Sequence, residues 1–280
     1  MCVPGCREAI QRAMSRRRFF KGAAAAGLAA TADFAATAGP AAIAATPAPA
    51  QHSFTSVIDL THTLSPEFPT FFGIPGITIE RRYTFKKDGA NVNWWSVLEH
   101  AGTHVDAPFH YSDSGAAAEM IPADQLVVPL ATVDVSAQAA RNADYAMTRQ
   151  DILDWEARHG RLPDNCCVAM NSGWAQHAVN AAKFTGRQAN AFHFPGVSPE
   201  AADWLISERR VAGLAVDTMS LDPGVSKDFK THKLWLPSGR WGIENIAGLD
   251  KVPATGATLV VGLPKVKGAS GGPSRIFALV

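Results

Sequence analysis

Short apolar and β-branched runs recur along the chain between turn-forming clusters, and two longer stretches carry helix-start signals instead. Val57-Ile-Asp-Leu60 and Thr78-Ile-Glu-Arg-Arg-Tyr-Thr-Phe85 read as strands, separated by the Pro/Phe-rich loop Ser65-Pro-Glu-Phe-Pro-Thr-Phe-Phe-Gly73. A third strand, Asn93 to Leu98, delivers His100. Residues 111–125 are rich in small side chains and read as irregular. Leu126 to Val135 is apolar enough for a strand, with Pro129 suggesting a sheet edge or a bulge. Thr148, with Asp151 three residues on, opens a helix that turns Ile152, Leu153 and Trp155 to one side. Cys166 to Met170 is a strand leading into Asn171-Ser-Gly-Trp174. Ser198-Pro199-Glu200 begins a second helix, with proline at its first position and Trp204 and Leu205 facing inward. Val211 to Val216 is a strand ending at Asp217-Thr218, and Thr258 to Gly262 and Arg275 to Leu279 close the set. Strands outnumber helices, and the strand–helix–strand order across residues 126–216 predicts an α/β fold: a mixed sheet with helices packed on it. No repeat and no long linker interrupts residues 51–280, which are expected to form one domain.

Composition narrows the picture. With 280 residues, 47% of them apolar, the chain can bury a substantial core. The 26 basic and 25 acidic residues nearly balance, which gives no electrostatic footprint for nucleic acid. The balance is uneven, however: residues 1–44 hold six basic and two acidic residues, leaving 20 against 23 for the remainder. Within that basic leader, Ser15-Arg-Arg-Arg-Phe-Phe-Lys21 resembles the twin-arginine export motif, and an Ala/Gly-rich stretch follows. Asp33 near the middle of that stretch would cost about 3 kcal/mol in a bilayer, which favours a cleaved leader over a membrane anchor. Ala42-Ile43-Ala44 offers the cleavage site. Residues 1–50 are therefore expected to be signal and linker, placing the mature protein in the periplasm or outside the cell, free of the membrane. Cys2 and Cys6 would leave with the leader. Cys166 and Cys167 are neighbours on a strand, point to opposite faces, and read as two small core residues instead of a disulfide.

The chemistry concentrates in eleven residues, His100-Ala-Gly-Thr-His104-Val-Asp106-Ala-Pro-Phe-His110. Imidazole and carboxylate together suit zinc, manganese or iron. On a helix Asp106 would point about 200° away from His104. On a straight strand His100 and His104 would lie about 13 Å apart, too far for one ion. The chain is therefore expected to turn at Gly102, with His100 at a strand end before it and His104 and Asp106 on an extended segment beyond.

His-x-Gly-Thr-His-x-Asp-x-Pro-x-His resembles the signature of the metal-dependent cyclase family, which includes bacterial kynurenine formamidases and isatin hydrolases, and the resemblance extends from about Ile58 to the C-terminus. It implies an α/β fold with a barrel-like sheet core (swivelling β/β/α) and assembly as a dimer or higher homo-oligomer. It also implies a ligand set. His100, His104 and Asp106 would hold one divalent ion, and Asp106 and Glu244 would bridge to a second that His232 completes. His232 and Glu244 stand at the family's twelve-residue spacing. Zinc is the first expectation, as one or two ions, with manganese the alternative. Some relatives with a single manganese carry an amide at the glutamate position, so Glu244 favours two ions.

The activity implied is hydrolysis of a C–N amide bond in a small molecule, an arylformamide or a cyclic amide such as isatin. Metal-activated water attacks the carbonyl. His110, whose ordinary pKa near 6.5 suits proton transfer, serves as the acid/base and stands beside the metal instead of binding it. Phe71, Phe72 and Trp94 are the candidate substrate contacts. Phe71 stands near a position where formamidase relatives carry tryptophan, a departure that leaves the substrate open. Trp94 and Trp95 should point to opposite faces, one towards the pocket and the other into the core.

Two other hydrolase patterns fail. Gly268-Ala-Ser270-Gly-Gly272 matches Gly-x-Ser-x-Gly, but no Asp, Glu or His follows Ser270 and Pro273 intervenes, so the segment reads as a glycine-rich turn. No His-Glu-x-x-His occurs. A periplasmic metal carrier is the competing class, and His110 discriminates: a carrier has no use for a base that is not a ligand.

Overall fold

Thirteen strands form among residues 53–280, which the computed structural model describes. The export motif, the Ala42–Ala44 cleavage site, Cys2 and Cys6 lie outside the described residues. In chain order the strands are β1 (Val57–Asp59), β2 (Ile77–Tyr83), β3 (Val92–Val97), β4 (His104–Asp106), β5 (Val127–Asp134), β6 (Ala146–Met147), β7 (Cys166–Asn171), β8 (Gly196–Val197), β9 (Val211–Val216), β10 (Trp241–Glu244), β11 (Ala257–Gly262), β12 (Gly271–Pro273) and β13 (Arg275–Leu279). Three helices matter to the packing: α1 (Arg149–His159), α2 (Pro199–Glu208) and α3 (Lys230–Trp235). Nine strands make one mixed sheet, ordered β1-β13-β11-β5-β7-β9-β10-β4-β12 and curled as a half-barrel. Its centre, β5-β7-β9-β10, is parallel. The flanks on both sides are antiparallel.

The period of two along β7 divides the core. Cys166, Val168 and Met170 face α1 through Ile152 and Trp155, α2 through Leu205 and α3 through Trp235. Cys167 and Ala169 face the inside of the curl with Val105, Leu130, Trp241, Leu259 and Ile276. The two cysteines are free and buried on opposite faces, and burial pushes the Cys166 thiol up to about 12. Helix entry follows the local chemistry. Thr148 accepts from Asp151 N while the Asp151 side chain accepts from Thr148 N, a full capping box, and Ser198 accepts from Ala201 N ahead of Pro199.

Two expectations need correction. Pro129 does not mark an edge strand, because β5 lies between β11 and β7. β11 pairs with Val127–Leu130 and β7 only from Leu130 onward, so at Pro129 the strand is paired on one side alone and tolerates a residue without an N–H. The Gly268–Gly272 segment is more than a turn: Gly271–Pro273 is β12, paired to β4. Residues 111–125 are irregular as expected apart from the 3-10 turns Ala118–Met120 and Ala123–Gln125, and a further 3-10 turn, Pro108–Tyr111, leads into them.

Candidate active site

The site grows from the register of three short strands. On β10, Glu244 stands opposite His104 and Gly242 opposite Asp106; on β12, Gly271 stands opposite Asp106. Residues directly opposite share a sheet face, and so do residues two apart. His104, Asp106 and Glu244 therefore project together, while Val105 between them points into the core. The two residues opposite Asp106 are both glycines, and a Cβ at Gly242 would press on Leu221 Cδ1 at 2.9 Å. The chain reaches β4 through the expected turn, with Gly102 at φ 62°. His100 lies on that turn, three residues beyond the end of β3, not at the strand end itself.

His104 Nε2 lies 3.3 Å from Asp106 Oδ1 and 3.4 Å from Glu244 Oε2. His232, on α3, brings Nε2 to 3.0 Å from Glu244 Oε1 and 3.6 Å from Asp106 Oδ2. His100 Nδ1 lies 2.7 Å from Asp106 Oδ1. All five residues expected as ligands thus meet around Asp106. A sixth participant went unread in the sequence. Asp222 accepts from Thr231 N at 2.9 Å, from His232 N at 3.1 Å and from His232 Nδ1 at 2.6 Å, so it anchors the start of α3 and fixes the ring. Its setting, Asp222-Pro-Gly224, signals only a turn.

The proton positions follow from the acceptors. Asp222 and the Gly102 carbonyl, 2.9 Å from His104 Nδ1, accept but do not donate. Both histidines therefore carry Nδ1–H and offer Nε2 inward. The fit to a cation is direct. Asp106 and Glu244 are two carboxylates, 1% and 6% exposed, while His104 Nε2 and Asp106 Oδ2 are buried without a hydrogen-bond partner. Unpaired buried charge of one sign is costly, and a divalent ion among nitrogen and oxygen donors removes that cost. Without an ion the cluster holds protons. Burial lowers the His104 pKa, but Asp106 and Glu244 outweigh it and raise it to about 10. Asp106 is held well below the usual carboxylate range: its burial opposes this, and His100, His104 and His232 overcome it.

His110 sits on the 3-10 turn Pro108–Tyr111, its ring stacked on His100 at 3.8 Å between centroids and 25° between planes. The bend at Pro108 removes the separation of over 10 Å that a straight segment would impose: ligand atoms of His110, His100 and Asp106 lie within 4.8 Å of one another. Burial first, then the neighbouring histidines, lower the His110 pKa to about 4 against the pull of Asp106 and Glu244. A neutral ring at pH 7 is ready to accept a proton.

The cluster forms one wall of a cavity of about 290 Å³. Phe71, Phe72, Tyr111, Met219 and Phe229 form the other. Phe71 is braced by Phe192 at 4.7 Å and Phe229 at 5.8 Å. Phe71 and Phe72 are thus brought to the site, and Trp94 is not. It is 62% exposed, with Arg82 over its ring at 5.6 Å, and it does not line the cavity. Trp95 is no core residue either, at 65% exposed. Both lie on the separate two-stranded β2–β3 sheet, where neither face packs on the main sheet, so the opposite-face rule places neither ring. Three other histidines stand apart from the cluster: His193 pairs with Asp144 at 2.9 Å, and His159 and His177 lie against Trp155 and Trp174.

Comparison with known proteins agrees with this geometry. The family model described as "Putative cyclase" matches residues 58–223. An isatin hydrolase of Roseibium aggregatum is 31% identical over 243 residues, spanning 80% of this chain and 91% of that protein. A kynurenine formamidase of Salinibacter ruber is 26% identical over 223 residues, 79% of this chain and 95% of that one. The solved structure of isatin hydrolase A from Ralstonia solanacearum superposes with a TM-score of 0.76 at 36% identity, covering 80% of this chain and 92% of its own. A family match over more than half of the chain, spanning the segment that holds His100, His104 and Asp106, makes this protein a member of the cyclase family.

Proposed function

We propose that the protein hydrolyses an amide bond in a small aromatic molecule, a cyclic amide of the isatin kind or an N-formyl arylamine, using one or two divalent ions, zinc first and manganese as the alternative. The chain is a hydrolase of carbon–nitrogen bonds other than peptide bonds. The observation that carries the substrate class is the pairing, across about 290 Å³, of a buried His/Asp/Glu cluster with an aromatic wall. That volume suits a one- or two-ring substrate.

A divalent ion bound there supplies Lewis acidity, activating water and polarising a carbonyl. The protein's own residues do the rest. His100, His104, Asp106, His232 and Glu244 hold the centre. Phe71, Phe72 and Phe229 stack the ring and keep water from the leaving side. A ring nitrogen of His110 takes a proton from the attacking water and returns it to the departing nitrogen. Asp106 lies beside His104 and Glu244 on one side and His100 on the other, so its carboxylate would be the ligand common to the centre whether it held one ion or two. A metal carrier is not favoured: it would need neither the aromatic wall nor a neutral base.

The substrate is tested by offering the purified protein isatins, N-formyl arylamines and aliphatic cyclic amides in parallel. Turnover of an aromatic amide, with aliphatic amides at least tenfold poorer, is expected; preference for aliphatic amides would remove the aromatic-wall assignment.

Two further proposals concern where and how the protein works. Residues 1–50 direct export by the twin-arginine route. A reporter fused to them should cross the inner membrane and should fail to do so when Arg16 and Arg17 become lysine; unimpaired export would refute the motif. The protein is a homo-oligomer, supported by the β2–β3 hairpin, whose Ile79, Tyr83, Trp94, Trp95 and Val97 are all exposed. A lone two-stranded hairpin is marginal in water, so a second copy is its expected cover. Sedimentation at micromolar concentration should give a dimer or larger, and a monomer would contradict it.

A further inference from the structure

His100 is turned the opposite way from the other two histidines. His104 and His232 offer Nε2 to the carboxylates, but His100 offers Nδ1 and directs Nε2 outward to Ser270 Oγ, 2.8 Å away. The next link sets the direction of the chain. Ser270 Oγ–H donates to Glu99 Oε2, and Ser270 N donates to the same oxygen at 3.3 Å. An ionised carboxylate only accepts, so the hydroxyl proton of Ser270 is committed to Glu99 and the lone pairs of Oγ face His100. His100 must then be the donor, through Nε2–H. A neutral imidazole protonated there has its lone pair on Nδ1, and that lone pair faces Asp106 Oδ1 at 2.7 Å. Two lone pairs at that distance repel, so positive charge must lie by both: a proton on Nδ1 in the metal-free cluster, or a metal ion in its place.

We propose that Ser270 and Glu99 are positioning residues that lock His100 in its Nε2–H form, so that it serves a divalent ion through Nδ1 beside Asp106. The inference rests on the metal-centre reading above. It gives every ligand histidine an acceptor for its outer N–H: the Gly102 carbonyl for His104, Asp222 for His232, and Ser270 backed by Glu99 for His100. It also accounts for the glycine at 271. A Cβ there would stand 3.0 Å from His100 Cε1 and 2.2 Å from the Val105 carbonyl oxygen, so glycine lets β12 lie close enough to bring Ser270 to the ring. Ser270 does not line the cavity, which leaves it no role as a nucleophile although Ser270, His100 and Asp106 stand in line.

The test uses the full chain and zinc. Dissociation constants are measured by chelator competition for the unmodified protein, Ser270→Ala, Ser270→Thr and Glu99→Gln, together with the Tm of each metal-free form. Ser270→Ala and Glu99→Gln should bind zinc about 10- to 100-fold more weakly, with metal-free Tm unchanged, while Ser270→Thr retains affinity. In the zinc-loaded protein, 15N shifts should show His100 protonated at Nε2 and coordinated at Nδ1. Unchanged affinity in both variants, weakening accompanied by a matching fall in metal-free Tm, or coordination through Nε2 would each overturn the proposal. If the unmodified protein itself binds no zinc or manganese, the metal-centre reading fails instead.

Discussion

His104→Ala is expected to remove the divalent ion and turnover together. His104 is 2% exposed, lies at the meeting point of Asp106 and Glu244, and its Nε2 has no hydrogen-bond partner within the protein. Alanine leaves two buried carboxylates facing each other across a hole, with His100 and His232 as the remaining imidazoles. Removing one partner from a buried charge cluster costs about 3–5 kcal/mol, which corresponds to a loss of two to three or more decades in metal affinity. Elemental analysis of protein purified without chelator should give near-stoichiometric metal for the unmodified chain and a trace for the variant. Glu244→Gln should fall between, since one amide oxygen can still reach the ion while the charge is lost. Stoichiometric metal in His104→Ala would remove His104 from the ligand set.

His110→Ala should do something different: keep the ion and the fold but lose turnover. Loss of a general acid/base typically costs 10²–10⁴-fold, about 3–5 kcal/mol of barrier. The ring is neutral because burial lowers its pKa to about 4. A base acts in its deprotonated form, so the activity that depends on His110 is present above that pKa and disappears as pH falls through it. The acid limb of kcat should therefore lie well below 6.5, and an ion nearby would push it lower still. Because His110 lies within 4.8 Å of both His100 and Asp106, metal content must be measured alongside turnover. If His110→Ala sheds the ion, His110 is a ligand. If it turns over normally, the proton comes from elsewhere.

What could be read from the sequence was whatever lies close together along the chain. The signature segment was legible because its candidate ligands fall within eleven residues and Gly102 marks the turn. Strands such as β7 and β13 announced themselves through unbroken apolar or alternating runs, and α1 and α2 through their caps. The elements that were missed are short and depend on partners. Trp241–Glu244 and Gly271–Pro273 have no strand pattern of their own; the first becomes β10 by pairing with β9 and β4, the second β12 by pairing with β4. Asp222 and Ser270 act on rings 10 and 170 residues away, a relation no local pattern encodes. Trp94 went astray because alternation reports which side of a strand a residue takes, not whether anything lies on that side. His110 came nearer the centre than a straight segment allows because Pro108 starts a 3-10 turn.

The central claim, metal-dependent hydrolysis of an aromatic amide, is tested most directly by following isatin hydrolysis through one cycle of metal removal and return. The full chain is assayed as purified, after dialysis against a chelator, and after zinc or manganese is added back, with metal content measured at each stage. Turnover should fall with metal content by at least about a hundredfold and recover on readdition, with the fold intact throughout. Undiminished hydrolysis by protein shown to be metal-free would contradict the account.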